Sequence, residues 1–397
     1  MKNKLTALIL LALAAAMATA SNPESTSTRA SVEALMRNHL PEHQFDTATV
    51  KDEASFKIWQ EGLASAMARI MKHPQAQVAE PRKVLSRKRD GYTIERWESY
   101  PLEGSTVAFY VLIPHNVETP APAALCIPGF GQTKELLAGE KDKNFMLEGD
   151  RDPELRRAAM ARILAEKGMV AVAVDNPSCG ELSDNGRADY VASSRFLLEV
   201  GWSYLGLASW QDKVILEWMK KQPAIDPDRI IVSGFSLGTE PMMVLGVMDP
   251  TIHAFIYNDF LCRTRERALV MNAPDAKGNR PYPNDIEHLI PEFLTNFDFP
   301  DIVAALAPRP VICTEGGLDR DFNIIAKAYG IANAPDAFTW HHYAKYADPA
   351  MRQQTDTLPT GIDRDTFFRL VNVDPPNHYF KAEHVLPWLK GLQLIKE

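Results

Sequence analysis

Residues 226–247, DPDRIIVSGFSLGTEPMMVLGV, constrain this chain more than any other stretch. Ile230, Ile231 and Val232 form a short β-branched run and read as a buried strand. Residues 242–247 read as the apolar part of a helix. Between them stands Gly234-Phe235-Ser236-Leu237-Gly238. A serine on a sharp strand-to-helix turn is forced into unusual backbone angles. Glycines on either side keep the turn from colliding with the strand and helix it joins. Such a turn lifts Ser236 Oγ out at the sheet edge and aims a helix N-terminus at whatever reacts there. The five-residue pattern alone also occurs in ordinary loops. The rest of the chain must therefore supply an acid and a histidine, in that order.

The chain has 397 residues, enough for one large α/β domain and an extra segment. A hydrophobic fraction of 46% supports a substantial core. The net charge is −8, and no basic cluster with interleaved aromatics appears, which argues against nucleic-acid binding. Residues 1–20 have the form of a signal peptide. Lys2 and Lys4 give the positive end, residues 5–17 the apolar run, and Ala18-Thr19-Ala20 the small-residue cleavage site. Cleavage after Ala20 would leave a periplasmic or secreted chain of charge about −10. No later segment is apolar enough to suggest integral membrane association. Four cysteines occur. Cys126 and Cys313 lie in strand-like runs, whereas Cys179 and Cys262 fall in loops where they could pair. No obligatory disulfide is expected, and the spacing matches no zinc site.

Residues 21–32 are polar and read as a mobile leader. Phe56, Trp59, Leu63, Met67 and Ile70 follow helical spacing, so 21–84 is expected to be a leader with a helical extension. The catalytic domain then runs over 85–397. Strands are expected at 92–100, 106–113, 123–127, 169–174, 230–232, 252–257, 311–314 and 338–343. Helices are expected at 153–167, 205–221, 322–329 and 379–389. Repeated strand–helix units imply a mostly parallel central sheet with helices on both faces. The long connection 263–309 is a candidate lid or pocket wall.

Attack on a carbonyl by Ser236 needs a base and a group that orients that base. The expected order along the chain is serine, acid, histidine. Asp319 is the favoured acid, because it follows an apolar strand through a glycine turn; Asp321 is its near neighbour. Asp259, just after the preceding strand, is the alternative. His378 is the expected base, since it stands in the extended Pro375-Pro376-Asn377 loop before the last helix. His384 falls within that helix. Oxyanion donors are expected from the Leu237 backbone N–H and from the Pro128–Gln132 loop, with Phe130 first and Gly131 next. Glu240, Trp340, His342 and Tyr379 are candidates for the substrate pocket, with a structural pairing favoured for Glu240. No metal or cofactor is required, and no metal-ligand spacing such as HExxH appears.

With these pieces in place, residues 85–395 resemble the α/β-hydrolase superfamily. The resemblance is narrower to the secreted esterase branch related to acetyl xylan esterases and dienelactone hydrolases. It rests on DPDRIIVSGFSLG, on APRPVICTEGGLD at 307–319, and on NHYFKAEHVLPWL at 377–389. It implies a serine-dependent carboxylic ester hydrolase acting on an extracytoplasmic ester, with deacylation (deacetylation) of carbohydrate as the expected reaction. Three features depart from the pattern. Pro128 stands where relatives often have histidine, Thr239 and Glu240 follow the motif where small residues are usual, and the nucleophile is serine rather than cysteine. Two other readings stay open: a serine peptidase of the prolyl oligopeptidase type, and a non-catalytic binding protein with the same fold. The absence of repeated four-stranded blades speaks against the first.

Overall fold

A computed structural model of the chain describes residues 28–39, 43–74, 79–115, 117–140, 157–184, 186–279 and 284–396. The signal-peptide expectation for residues 1–20 lies outside them. The chain divides into two compact units, residues 1–41 and 42–397. The first contains a helix, Thr28–His39, so the end of the expected mobile leader is helical. Among the described residues, no helix is long and apolar enough to cross a membrane.

The second unit is built on nine strands: β1 (Ala79–Lys88), β2 (Tyr92–Tyr100), β3 (Val107–Pro114), β4 (Ala121–Ile127), β5 (Val170–Val174), β6 (Ile225–Phe235), β7 (Ala254–Asn258), β8 (Val311–Cys313) and β9 (Phe338–Trp340). Their spatial order is β1-β2-β3-β5-β4-β6-β7-β8-β9. β1, β2 and β3 pair antiparallel, and β3 meets β5 antiparallel. All pairings from β5 to β9 are parallel. This is the α/β-hydrolase fold expected from the strand–helix alternation.

Alternation along the central strands explains the two cores. Successive side chains point to opposite faces of a sheet. Val170, Val172 and Val174 join one buried cluster with Ala123, Leu125 and Ile127. Ala171 and Ala173 join the other with Ala124 and Cys126. Helices cover both faces, so both must be apolar. The first face buries Phe56, Trp59, Leu63, Met67 and Ile70 of the Glu53–Met71 helix. Burying each such side chain stabilises the fold by roughly 1.5–3 kcal/mol. That helix starts at a capping box, in which the Asp52 side chain accepts from the Ser55 N–H. Leu164 of the Met160–Glu166 helix and Val385 and Leu389 of the Ala382–Gly391 helix cover the second face.

β1 was not expected from the sequence. Almost all of its residues are exposed, so it has no apolar alternation to read. It is an edge strand carrying Arg82, Lys83, Arg87 and Lys88, charges that discourage further strand pairing. All four cysteines are buried free thiols, so Cys179 and Cys262 are not paired.

Candidate active site

Ser236 begins directly after β6, at φ 51°. Left-handed backbone is rare for a residue with a side chain and marks stored strain. The flanking glycines make the turn possible. A Cβ on Gly234 would lie 2.4 Å from the Gly238 carbonyl oxygen, and one on Gly238 would lie 2.4 Å from the Ile127 oxygen. The Thr239–Met248 helix follows the turn. Leu237 lies in the short 3-10 turn Ser236–Gly238 that leads into that helix, where the leading N–H groups have no acceptor within the helix.

The loop after β4 presses against this turn. A Cβ on Gly129 would come within 3.1 Å of Ser236 Cβ and 2.8 Å of the Phe235 ring. Asn176, just past β5, donates from Nδ2 to the Pro128 oxygen at 2.8 Å and holds the loop there. The buried Lys134 binds Asp175 through both its backbone N–H, at 2.7 Å, and its ammonium, at 2.8 Å. The Gly131 N–H is donated to the Tyr190 hydroxyl at 2.9 Å. This group is committed, which corrects the expectation that Gly131 serves as an oxyanion donor. Phe130 projects into the cavity and packs on Tyr190, ring centroids 4.6 Å apart.

His378 reaches the same place from the C-terminal end of the chain. Its ring stacks on Phe235, the residue before Ser236, at 4.6 Å. Ser236, Leu237, Phe130, Asp259 and His378 all line one cavity of about 470 Å3. It opens at the C-terminal ends of the parallel strands, where sheets of this class present their ligand sites.

The carboxylate behind His378 is Glu315, not Asp319. Glu315 is fully buried and accepts a short hydrogen bond from His378 Nδ1. It also accepts from the Tyr379 N–H at 3.1 Å and the Tyr343 hydroxyl at 3.0 Å, and it pairs with the Lys381 ammonium at 3.2 Å. Four partners offset the desolvation of a buried charge. Burial alone would lower the His378 pKa, but the hydrogen bond and charge of Glu315 outweigh it and raise the value. Asp319 is turned elsewhere because Gly316 and Gly317 adopt φ 76° and 144° and redirect the chain. It starts the Asp319–Ile331 helix and binds His342 Nε2 at 2.8 Å, Gln354 at 2.9 Å and Arg352 at 3.3 Å. Gln354 and the charges of His342 and Arg352 hold its carboxyl low against the opposing effect of burial.

Asp259 does come to the cluster. Its carboxylate, that of Glu315 and the His378 ring have atoms within 4.8 Å of one another. Burial pushes Asp259 up to about 7. Its Oδ1 accepts the Phe260 N–H at 2.8 Å. Three such groups could ligate a cation. However, Glu315 already carries the Lys381 ammonium, which a metal ion would have to displace.

Of the expected pocket residues, Glu240 lines the cavity and is paired with His288 Nδ1 at 2.6 Å. The other three lie outside the cavity lining. Trp340 stacks on Phe322 at 5.7 Å and Phe338 at 5.3 Å. His342 is held by Asp319. Tyr379 donates its hydroxyl to Glu383 at 3.2 Å, beneath the Lys381 ammonium. Sequence reasoning missed Glu315, although it is the first acidic residue past β8. It also missed Arg267 and His288, which come from the 263–309 connection, and Arg364.

The Abhydrolase family matches residues 13–391. A Bacteroides fragilis protein provisionally named an acetyl xylan esterase is similar at 50% identity, over 94% of this chain and 97% of that one, with a TM-score of 0.88. A methylesterase is similar in fold at 19% identity and a TM-score of 0.55, over 82% of this chain and 66% of that one. A glucuronoyl esterase from Solibacter usitatus is similar in fold at 15% identity and a TM-score of 0.53, over 72% and 83%. No curated protein matches the chain. The elbow at Ser236, the sheet order and these likenesses agree: the chain belongs to the Abhydrolase family, with the α/β-hydrolase fold.

Proposed function

We propose that this chain, a carboxylic ester hydrolase, uses Ser236 as nucleophile, His378 as general base and Glu315 as the group that orients His378. The observation that carries the reading is a strained serine and a carboxylate-bound histidine lining one cavity. Because Glu315 accepts from Nδ1, Nε2 is the nitrogen left to act as base. Ser236 Oγ attacks the ester carbonyl carbon as its proton passes to Nε2. The Leu237 and Phe130 N–H groups receive the oxyanion. Collapse breaks the ester bond, and His378 gives its proton to the departing alcohol. Water, deprotonated by His378, then attacks the acyl-enzyme, releasing the carboxylic acid and restoring Ser236.

The substrate class we propose is an acylated, in the first instance acetylated, carbohydrate outside the cytoplasm. The signal-peptide pattern of residues 1–20 supports the location. The similarity to the Bacteroides fragilis protein supports the acyl group. A panel of acetylated, feruloylated and glucuronoyl esters, assayed beside Ser236→Ala and with a fluorophosphonate label, tests both parts. Labelling and hydrolysis should both vanish in Ser236→Ala. Labelling that persists would remove Ser236 from the mechanism, and no turnover of any acetyl ester would remove the substrate class.

A further inference from the structure

Two guanidinium groups, Arg267 and Arg364, line the cavity that holds Ser236 and His378. Arg267 comes from the Thr264–Val270 helix and Arg364 opens the Arg364–Leu370 helix. Nearby arginines are neutralised. Arg263 donates to Asp321 at 2.7 Å, Arg352 pairs with Asp319 at 3.3 Å, and Arg320 pairs with Glu266. Neither cavity arginine has a carboxylate in salt-bridge contact among the described residues. The Nε of Arg267 is buried with no hydrogen-bond partner. Arg364 Cζ lies over the Phe368 ring, 5.1 Å from its centroid, a cation–π contact that is not a hydrogen bond to another polar group.

The carboxylates of the cavity cancel these charges only in part: Asp259 lies close enough to feel the charge of Arg267. Glu240 is tied to His288. Asp259 is pushed up to about 7 by burial, so it is only partly ionised at neutral pH. Asp285 is exposed. Arg267 is half-buried and Arg364 is exposed at the cavity mouth, and guanidinium groups without a salt-bridge partner there favour the entry of an anion. The oxyanion formed in the attack is received by backbone N–H groups, so an anion for these arginines is a second group on the same molecule. A planar carboxylate matches the guanidinium fork.

We infer that the cavity takes an acetylated sugar that also bears a free carboxylate, a uronic acid unit, with Arg267 and Arg364 receiving that carboxylate. The inference rests on the esterase reading of Ser236 and His378. The test compares kcat/KM for an acetylated uronic acid glycoside with that for its neutral acetylated hexoside. The wild-type protein should prefer the acidic ester at least about 10-fold, with most of the difference in KM. The preference should shrink as salt is raised. Arg267→Gln and Arg364→Gln should each reduce the ratio several-fold, and Arg364→Lys should keep part of it. A wild-type ratio near one overturns the inference even if the variants fail to fold. Arginine variants that lose both substrates in equal proportion overturn it as well. If the wild-type protein cleaves neither ester, the esterase reading fails first and this inference falls with it.

Discussion

Two turns at the same sheet edge were built under different constraints. The turn after β6 has one solution. Gly234 and Gly238 are packed so closely against backbone that any side chain would meet a carbonyl oxygen at 2.4 Å. Sterics therefore fix the two glycines that flank the turn at Ser236. The turn after β8 has many solutions. It offers Glu315, Asp319 and Asp321 within a few residues, and two glycines that steer the chain either way. Sterics there decide only that a turn exists. Which carboxylate meets His378 depends on how far the chain has bent before each one leaves the sheet. Motif glycines fix a nucleophile tightly, whereas its supporting acid is set by loop path.

The largest expected effect separates the serine from everything else. Ser236→Ala should lower p-nitrophenyl acetate turnover by about 10⁴-fold or more. Next comes the contrast between the two carboxylates. Glu315→Gln should reduce kcat by roughly 10²- to 10⁴-fold, because the imidazole loses its orienting charge. Asp319→Asn, which touches His342 rather than His378, should cost less than about 10-fold. Equal losses in the two variants would return Asp319 to the site and break the comparison. The glycines come third. Gly238→Ala should destabilise the fold by about 1–3 kcal/mol, measured by urea unfolding. Gly278→Ala, at an open turn with no atom within 4 Å of the added carbon, should cost less despite its φ of 81°.

The pH profile is the finest discriminator. Glu315 raises the His378 pKa above the ordinary imidazole value, and only the neutral ring can accept the serine proton. The acid limb of kcat/KM should therefore have its midpoint above about 6.5. Removing the charge in Glu315→Gln should move that limb to lower pH. A limb that stays in place in Glu315→Gln but moves in Asp259→Asn would transfer the orienting role to Asp259.

Much of the frame is legible in the sequence alone. Strand β2 coincides with its expected span, and the helical spacing of Phe56, Trp59, Leu63, Met67 and Ile70 marks side chains that are all buried. These signals are strong because one face of each element is apolar and the other is not. That Ser236 and His378 come to one cavity was legible for related reasons, since glycines and prolines restrict the backbone around them. The exposed strand β1 had no periodicity to betray it. Glu315 was hidden by choosing the acid after the glycine turn rather than before it. Arg267 and Arg364 carry no local pattern at all. Their place in the cavity comes from the long-range folding of two connections, which spacing along the chain does not encode.

The four cysteines carry a consequence for handling. All four thiols are buried, Cys262 on the cavity lining and Cys179 donating to the Gln132 oxygen at 3.3 Å, and burial pushes Cys126, Cys262 and Cys313 well above the usual thiol range. Thiolate, the form that oxidises and exchanges, is thereby suppressed. The folded protein should be indifferent to redox surroundings, maturing alike in an oxidising compartment and in a reducing host cytosol. Its melting temperature should be the same with and without dithiothreitol.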